Sequence, residues 1–326
     1  MNRTPSAGRN HHADRDGPVW SLAVHGGAGD LRGEALGAER ERAILAALAE
    51  VLAAASGILA AGGKSLDAVE EAVRRLEDAP LFNAGKGAVL NARGEHELDA
   101  SIMDGSTCAA GAAAGLRRVR NPVMLARCIM ERSPHVFLQG EGAEEFASAH
   151  GIELVDPAYF RTEASLRALE RVRAESRDRA GERRSPAEPE TVGAVALDIH
   201  GHLAAATSTG GITNKLPGRV SDSAIIGAGT YASDESCAVS CTGQGEYFIR
   251  ATAARDVAAS LEHGGESLRA AAEAVLSARV AKLGGRGGLI AVDRQGAVAC
   301  PFTTDTMYRG CLTSAAGPLV AIYKTE

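Results

Sequence analysis

At Glu190 the chain changes character across a single peptide bond. Of the 28 residues from Glu163 to Glu190, 14 are charged, and Pro186 and Pro189 close the segment. Its end carries no apolar stripe to bury, so it reads as an exposed, mobile linker over about 163–190, in part helical. The next seven residues, Thr191 to Leu197, read as a core strand. That strand turns at Asp198-Ile199-His200-Gly201 and returns over His202–Ser208. Any fold for this chain must set an exposed joint directly against a buried strand.

The rest of the sequence supplies layers around that strand pair. Val19–Val24 reads as a first strand, running into His25-Gly26-Gly27-Ala28-Gly29-Asp30. Helices follow over about 39–61 and 65–77; Gly62-Gly63 ends the first, and Ser65 with Asp67 opens the second. Pro80–Gly94 is a loop rich in Gly and Asn, His96–Leu116 carries strands of small residues, and a helix begins after Asn121-Pro122. Beyond Ser208, two glycine-rich loops (Thr209–Gly229 and Thr242–Gly245) precede helices near 246–262 and 266–282 and a second hairpin over Leu289–Cys300. Strands, then helices, then strands argue for stacked sheets with helices outside, not a βαβ repeat. The apolar content is 45% with only 4% aromatic, so the core is built from small aliphatic side chains. A length of 326 residues suggests two domains on size alone.

Several function classes drop out. A net charge of −6 gives no reason to expect nucleic acid or an anionic membrane as partner. The one membrane-length stretch, Ala43–Ala61, is broken by Glu50, Ser56 and Gly57 and reads as a buried core helix. Residues 1–18 form a polar tail, expected to be disordered, with no apolar segment of the secretory kind, so a cytoplasmic location is expected. The six cysteines contain no C-x-x-C pair and read as reduced, buried thiols. Gly62-Gly63-Lys64-Ser65 lies between two helices and is a helix-helix turn rather than a phosphate loop. No G-x-S-x-G elbow or H-E-x-x-H helix occurs. Glu95-His96-Glu97 with Asp99 reads as a solvated strand face, not a metal site, because adjacent strand residues point to opposite sides. His200 and His202 flank a turn at the surface, and no histidine has an obvious nucleophile partner by spacing.

What remains is a set of threonines, glycines and one Arg/Asp pair. A threonine hydroxyl attacks poorly unless a base takes its proton. Were the Glu190–Thr191 bond cut, Thr191 would gain an α-amine of pKa about 7.7–8, of which roughly a tenth is neutral at pH 7. That amine could serve as the base without any histidine. Taken singly, an ordinary strand-start threonine is the plainer reading.

A family resemblance joins these pieces. Thr191-Val192-Gly193-Ala194-Val195-Ala196-Leu197-Asp198 resembles the nucleophile strand of plant-type L-asparaginases and isoaspartyl peptidases. Ala205-Ala206-Thr207-Ser208-Thr209-Gly210-Gly211 and Thr213-Asn214-Lys215-Leu216-Pro217-Gly218-Arg219 resemble its following motifs, as do His25–Gly29, Phe82–Gly87, His96–Gly105, Ser133–Glu141, Gly227–Tyr231 and Thr242–Glu246. The likeness spans about residues 20–310. It implies an N-terminal nucleophile hydrolase of α+β class, a four-layer αββα sandwich forming one domain over 19–326. It further implies self-cleavage between Glu190 and Thr191, giving an alpha subunit 1–190 and a beta subunit 191–326.

The roles implied are specific. Thr191 is nucleophile and base, and Thr209 tunes its proton transfer. Arg219 binds the substrate α-carboxylate and Asp222 its α-ammonium group. Thr242 and the Gly243 N–H form the oxyanion hole, Gln244 and Gly245 line the substrate, and Asn83 steadies the nucleophile region. No catalytic cofactor is implied, only a structural sodium ion held by the backbone carbonyls of Leu76, Glu77, Ala79, Phe82, Ala84 and Lys86. The implied substrates are L-asparagine and β-aspartyl dipeptides, and the implied assembly is a dimer of αβ heterodimers. Two departures stand out: Glu190 precedes the nucleophile where Gly or Asp is usual, and Ser221 replaces a glycine between Arg219 and Asp222. Two other readings remain open: a glycosylasparaginase-type hydrolase, and a non-catalytic amino-acid-binding relative that stays uncleaved.

Overall fold

The computed structural model describes residues 19–30, 36–178 and 191–324; the tail 1–18 and Glu190 lie outside them. In chain order the strands are β1 (Ser21–Gly29), β2 (Leu98–Asp104), β3 (Ala110–Leu116), β4 (Phe137–Gln139), β5 (Val192–Leu197) and β6 (Leu203–Thr209). They continue with β7 (Thr230–Ala232), β8 (Cys237–Gly243), β9 (Gly287–Asp293), β10 (Val298–Ala299), β11 (Thr306–Thr313) and β12 (Ala316–Tyr323). Eight form one sheet in the order β12-β11-β1-β5-β6-β2-β3-β4, and four form a second in the order β10-β9-β8-β7. The two sheets face each other through a thin layer that includes Ala23, Val195, Ala205, Ala238 and Ile290, all fully buried. Small side chains on both inner faces allow that close approach.

Helices cover both outer faces, completing the expected αββα order. On the larger sheet lie α1 (Ala38–Ala60), α2 (Ser65–Asp78) and α3 (Pro122–Arg132). α1 is long and apolar enough to cross a membrane by length and composition. Its Ile44, Leu48, Leu52 and Leu59, spaced to fall on one face, are instead fully buried in the core beside β1 and β11. Beyond them come α4 (Gly140–Ala149) and α5 (Glu163–Asp178). On the smaller sheet lie α6 (Gly245–Ala251), α7 (Ala253–Gly264) and α8 (Leu268–Ala274), held by a second apolar cluster around Phe248, Val257 and Leu276. Among the described residues the two sheets and their helices form a layered sandwich.

Several elements differ from the sequence reading. β1 runs on through His25-Gly26-Gly27-Ala28-Gly29, with an irregularity between His25 and Gly27 where it pairs with β11. The first half of the segment read as linker is α5, anchored by buried Leu169 and Ser165; residues 179–190 lie outside the description. The helix expected near 246–262 breaks at Thr252, whose φ of 47° is left-handed. Strands β11 and β12 had no counterpart in that reading. Cys108 is exposed rather than buried, on a turn, while Cys128, Cys237 and Cys241 are buried.

Candidate active site

Thr191 sits just before β5, and the register of β5 on β6 pairs Val192 with Ser208, bringing Thr191 opposite Thr209. The Thr191 hydroxyl donates to Thr209 Oγ1 at 3.2 Å, and Thr209 Oγ1 also accepts from the Gly211 N–H at 3.0 Å. Both threonines are buried, so the hydroxyl pair is shielded from water. Asn83 braces the loop beside them. Its carbonyl accepts from Gly210 N–H at 3.0 Å, its amide donates to Gly211 O at 2.7 Å, and its Oδ1 accepts from Val89 N–H at 2.9 Å.

Arg219 and Asp222 flank Gly245. A Cβ placed on Gly245 would stand 2.6 Å from Asp222 Oδ1 and 2.9 Å from Arg219 Nη2, so any side chain there would fill the gap between them. Arg219 also approaches Gly211: a Cβ on that residue would lie 3.2 Å from Nη1. Glu246 takes the Arg219 Nε at 2.9 Å, aligning the planar fork. Burial raises the Glu246 carboxyl, but hydrogen bonding and charge from Arg219 outweigh it and leave the pKa lowered. Asp222 is buried, and its Oδ2 has no hydrogen-bond partner within the described structure. Burial pushes its pKa up to about 7 against the pull of Arg219. An orphaned, buried carboxylate oxygen is costly unless a donor arrives to pair with it.

Thr242 ends β8 beside Gly243. Its Oγ1 accepts from the Ala28 N–H at 3.1 Å, leaving its own proton available. Gly243 has φ of 151°, and a Cβ there would lie 2.6 Å from the Arg286 carbonyl, so only glycine fits. Gln244 N–H donates to that carbonyl at 3.1 Å, and its side-chain oxygen accepts from Arg286 N–H at 3.2 Å. Thr191, Thr209, Asn83, Arg219, Asp222 and Gly245 are thus joined by direct contacts, while Thr242 and Gly243, beside Gln244, contact Ala28 and Arg286.

The residues proposed for a cation lie behind Asn83. Leu76 and Glu77 lie in the last turn of α2, and the Leu76 carbonyl accepts from the Ala79 N–H at 3.3 Å. A Cβ on Gly85 would lie 2.3 Å from the Glu77 carbonyl, and one on Gly87 2.0 Å from that of Phe82. The carbonyls of Ala79, Phe82 and Ala84 each accept one backbone N–H, from Phe82, Ala84 and Gly87, and it is their second lone pairs that would suit a hard cation. Glu77 itself is fully buried, and burial lifts its pKa to about 8, so its side chain is largely neutral.

Residues that sequence reasoning set aside also surround the site. Glu97 and Asp99 are buried rather than on a solvated face, because the smaller sheet's loops cover that side of β2. Asp99 accepts from Ser221 N–H at 2.8 Å and Gly115 N–H at 3.0 Å, fixing the backbone between Arg219 and Asp222. Lys215, lowered in pKa by burial, donates to the Glu97 carbonyl at 2.7 Å. Their signal was visible: Glu97, Asp99 and Ser101 alternate along a strand whose other face is apolar.

Comparison with known proteins places the chain in a family. A family model described as asparaginase covers residues 18–322. The isoaspartyl peptidase of Escherichia coli K12 is 50% identical over 309 residues, covering 94% of this chain and 96% of that protein. The probable isoaspartyl peptidase/L-asparaginase 2 of Arabidopsis thaliana is 42% identical over 327 residues, with 94% and 99% covered. The human isoaspartyl peptidase/L-asparaginase is 41% identical over 289 residues, with 88% and 91% covered. With a match that runs nearly end to end and a sandwich of the same class, the chain belongs to this asparaginase family of amide hydrolases.

Proposed function

We propose that this protein is a threonine amidohydrolase that cuts itself before Thr191 and releases L-aspartate from β-aspartyl dipeptides and L-asparagine. The observation that carries the substrate class is the orphaned Asp222 Oδ2 beside the Arg219 guanidinium. One buried anion next to one cation is a receptor for an amino-acid head group, and Arg219 borders the Gly210-Gly211 loop that Asn83 and Thr209 hold. Arg219 receives the α-carboxylate and Asp222 the α-ammonium, which sets the side-chain carbonyl before Thr191.

The Thr191 hydroxyl passes its proton to its own freed amine and its oxygen attacks that carbonyl. Thr242 and the Gly243 N–H hold the resulting oxyanion, one such donor typically lowering the barrier by about 2.7–4 kcal/mol. Collapse breaks the C–N bond, the amine proton goes to the departing ammonia or peptide amine, and a β-aspartyl ester remains. Water then attacks the ester, releasing aspartate and restoring the hydroxyl. A sodium ion would be held by the carbonyls of Leu76, Glu77, Ala79, Phe82, Ala84 and Lys86, stiffening the loop behind Asn83. Dimerisation of the cleaved unit and a cytoplasmic setting complete the reading.

Mass analysis of the full chain incubated at neutral pH tests it. Fragments 1–190 and 191–326 should accumulate together with hydrolysis of β-aspartyl-leucine, while Thr191→Ala stays whole and inactive. A chain that stays whole yet binds aspartate would replace the enzyme with a binding protein. Hydrolysis by the uncut chain would overturn the mechanism.

A further inference from the structure

Five polar side chains with zero exposure cross the otherwise apolar layer between the sheets: His25, Ser101, Thr207, Thr230 and Ser240. His25 Nδ1 lies 2.8 Å from the Thr191 carbonyl and its Nε2 lies 2.8 Å from Ser240 Oγ. Ser240 Oγ is 2.7 Å from Thr207 Oγ1, and Thr207 Oγ1 is 2.6 Å from Thr230 Oγ1. Ser101 Oγ closes the series, 2.8 Å from Thr230 Oγ1 and 2.6 Å from the Ser223 carbonyl. The links zigzag between sheets, since His25, Thr207 and Ser101 belong to β1, β6 and β2 while Ser240 and Thr230 belong to β8 and β7.

The direction of each bond follows from the first. A carbonyl only accepts, so His25 carries its proton on Nδ1 and Nε2 must accept from Ser240. Ser240 has then spent its proton and accepts from Thr207, which prefers it to the Gly229 carbonyl at 3.2 Å; Thr207 accepts from Thr230, and Thr230 accepts from Ser101, whose one proton is shared with the Ser223 carbonyl. Burial holds the His25 pKa down to about 3, so the ring stays neutral and keeps one tautomer. Gly193 makes room for the crossing: a Cβ there would stand 2.0 Å from Ser240 Oγ and 2.5 Å from His25 Nε2. At its far end the series reaches the carbonyl of Ser223, the neighbour of Asp222.

We propose that these five side chains form a single directed relay that fixes the main chain of Thr191 in its attacking pose and ties it to the segment carrying Asp222. His25 is thus a positioning residue, not a base. The inference rests on Thr191 being the nucleophile, and the experiment separates the two.

Full-length Thr207→Val, which keeps shape but removes the central hydroxyl, is compared with Thr207→Ser, which keeps it, and with Ser240→Ala. Self-cleavage rate, and kcat and KM for β-aspartyl-leucine, are measured alongside nitrogen NMR of the histidine rings. Thr207→Val and Ser240→Ala should slow both cleavage and kcat by about 10- to 100-fold, the scale expected for a misplaced nucleophile. KM should move less than about threefold, and Thr207→Ser should stay within about threefold of wild type. In the wild type, His25 should be neutral and protonated on Nδ1 at pH 6. Wild-type kcat in Thr207→Val and Ser240→Ala would overturn the relay while leaving the nucleophile intact. A His25 ring protonated on Nε2, or charged at pH 6, would overturn it even if no variant folds. An inactive wild type indistinguishable from Thr191→Ala would instead remove the nucleophile on which the relay depends.

Discussion

Asp222 shows how one side chain ties function to stability. Arg219 draws its pKa down, while burial, the dominant influence, and the nearby Glu246 and Asp99 charges push it up, to about 7. An ammonium group binds the carboxylate and not the acid, so kcat/KM should carry a rising limb through about 7 from Asp222, followed by a second through about 7.7–8 where the proposed Thr191 amine loses its proton. Asp222→Asn should lose only the lower limb and reduce kcat/KM by roughly 10- to 150-fold, the value of a hydrogen bond to a charge at about 1.5–3 kcal/mol. Stability should respond the other way. A carboxyl whose pKa is higher folded than unfolded stabilises the native state at low pH, and that contribution is lost as pH rises toward the folded value. At pH 8 Asp222→Asn should therefore melt above the wild type, a difference that disappears near pH 4. Thr191, Arg219 and Asp222 entered the reading through the family resemblance of their motifs, since each taken singly has a plainer explanation. Asp99, Glu97 and His25 were not: their partners lie 122, 121 and 215 residues away in Ser221, Gly218 and Ser240.

Two glycines on neighbouring elements separate tolerance from necessity. Gly193 on β5 faces Ser240 and His25 closely enough that no side chain fits. Gly193→Ala should cost about 1–3 kcal/mol through overpacking and block self-cleavage, read by chemical denaturation and by gel. Gly57 sits exposed in the interior of α1, with nothing within 4 Å of an added Cβ. Gly57→Ala should raise stability by about 0.5–1 kcal/mol and leave activity unchanged. Helices with a strong apolar stripe, such as α1 and α2, fell within a residue of their expected bounds. Strands were harder. His25–Gly29 lacks an apolar pattern, yet it is strand because β11 pairs Gly27–Gly29 beyond the point where β5 stops at His25, and only tertiary context supplies that. Conversely α5 forms from a highly charged stretch because Leu169 and Ser165 find cover.

Across the whole molecule, the two stretches that cleavage would produce are interleaved. In the larger sheet β1 lies between β11 and β5, and β2 lies against β6, so residues before 190 and after 191 meet along three seams. Cleaved protein should therefore elute from a sizing column as one species containing both fragments and separate only in denaturant. Once separated, the fragments should recover activity at a rate that depends on their concentration, because folding has become an encounter between two chains.

The position of β1 also sets a clock during synthesis. That strand is made before its sheet neighbours β5 and β11, which begin at Val192 and Thr306. The central seam therefore cannot close until synthesis has passed β11. A nascent chain shorter than that carries Thr191 without its finished surroundings, so on the proposed mechanism self-cleavage should wait for β11.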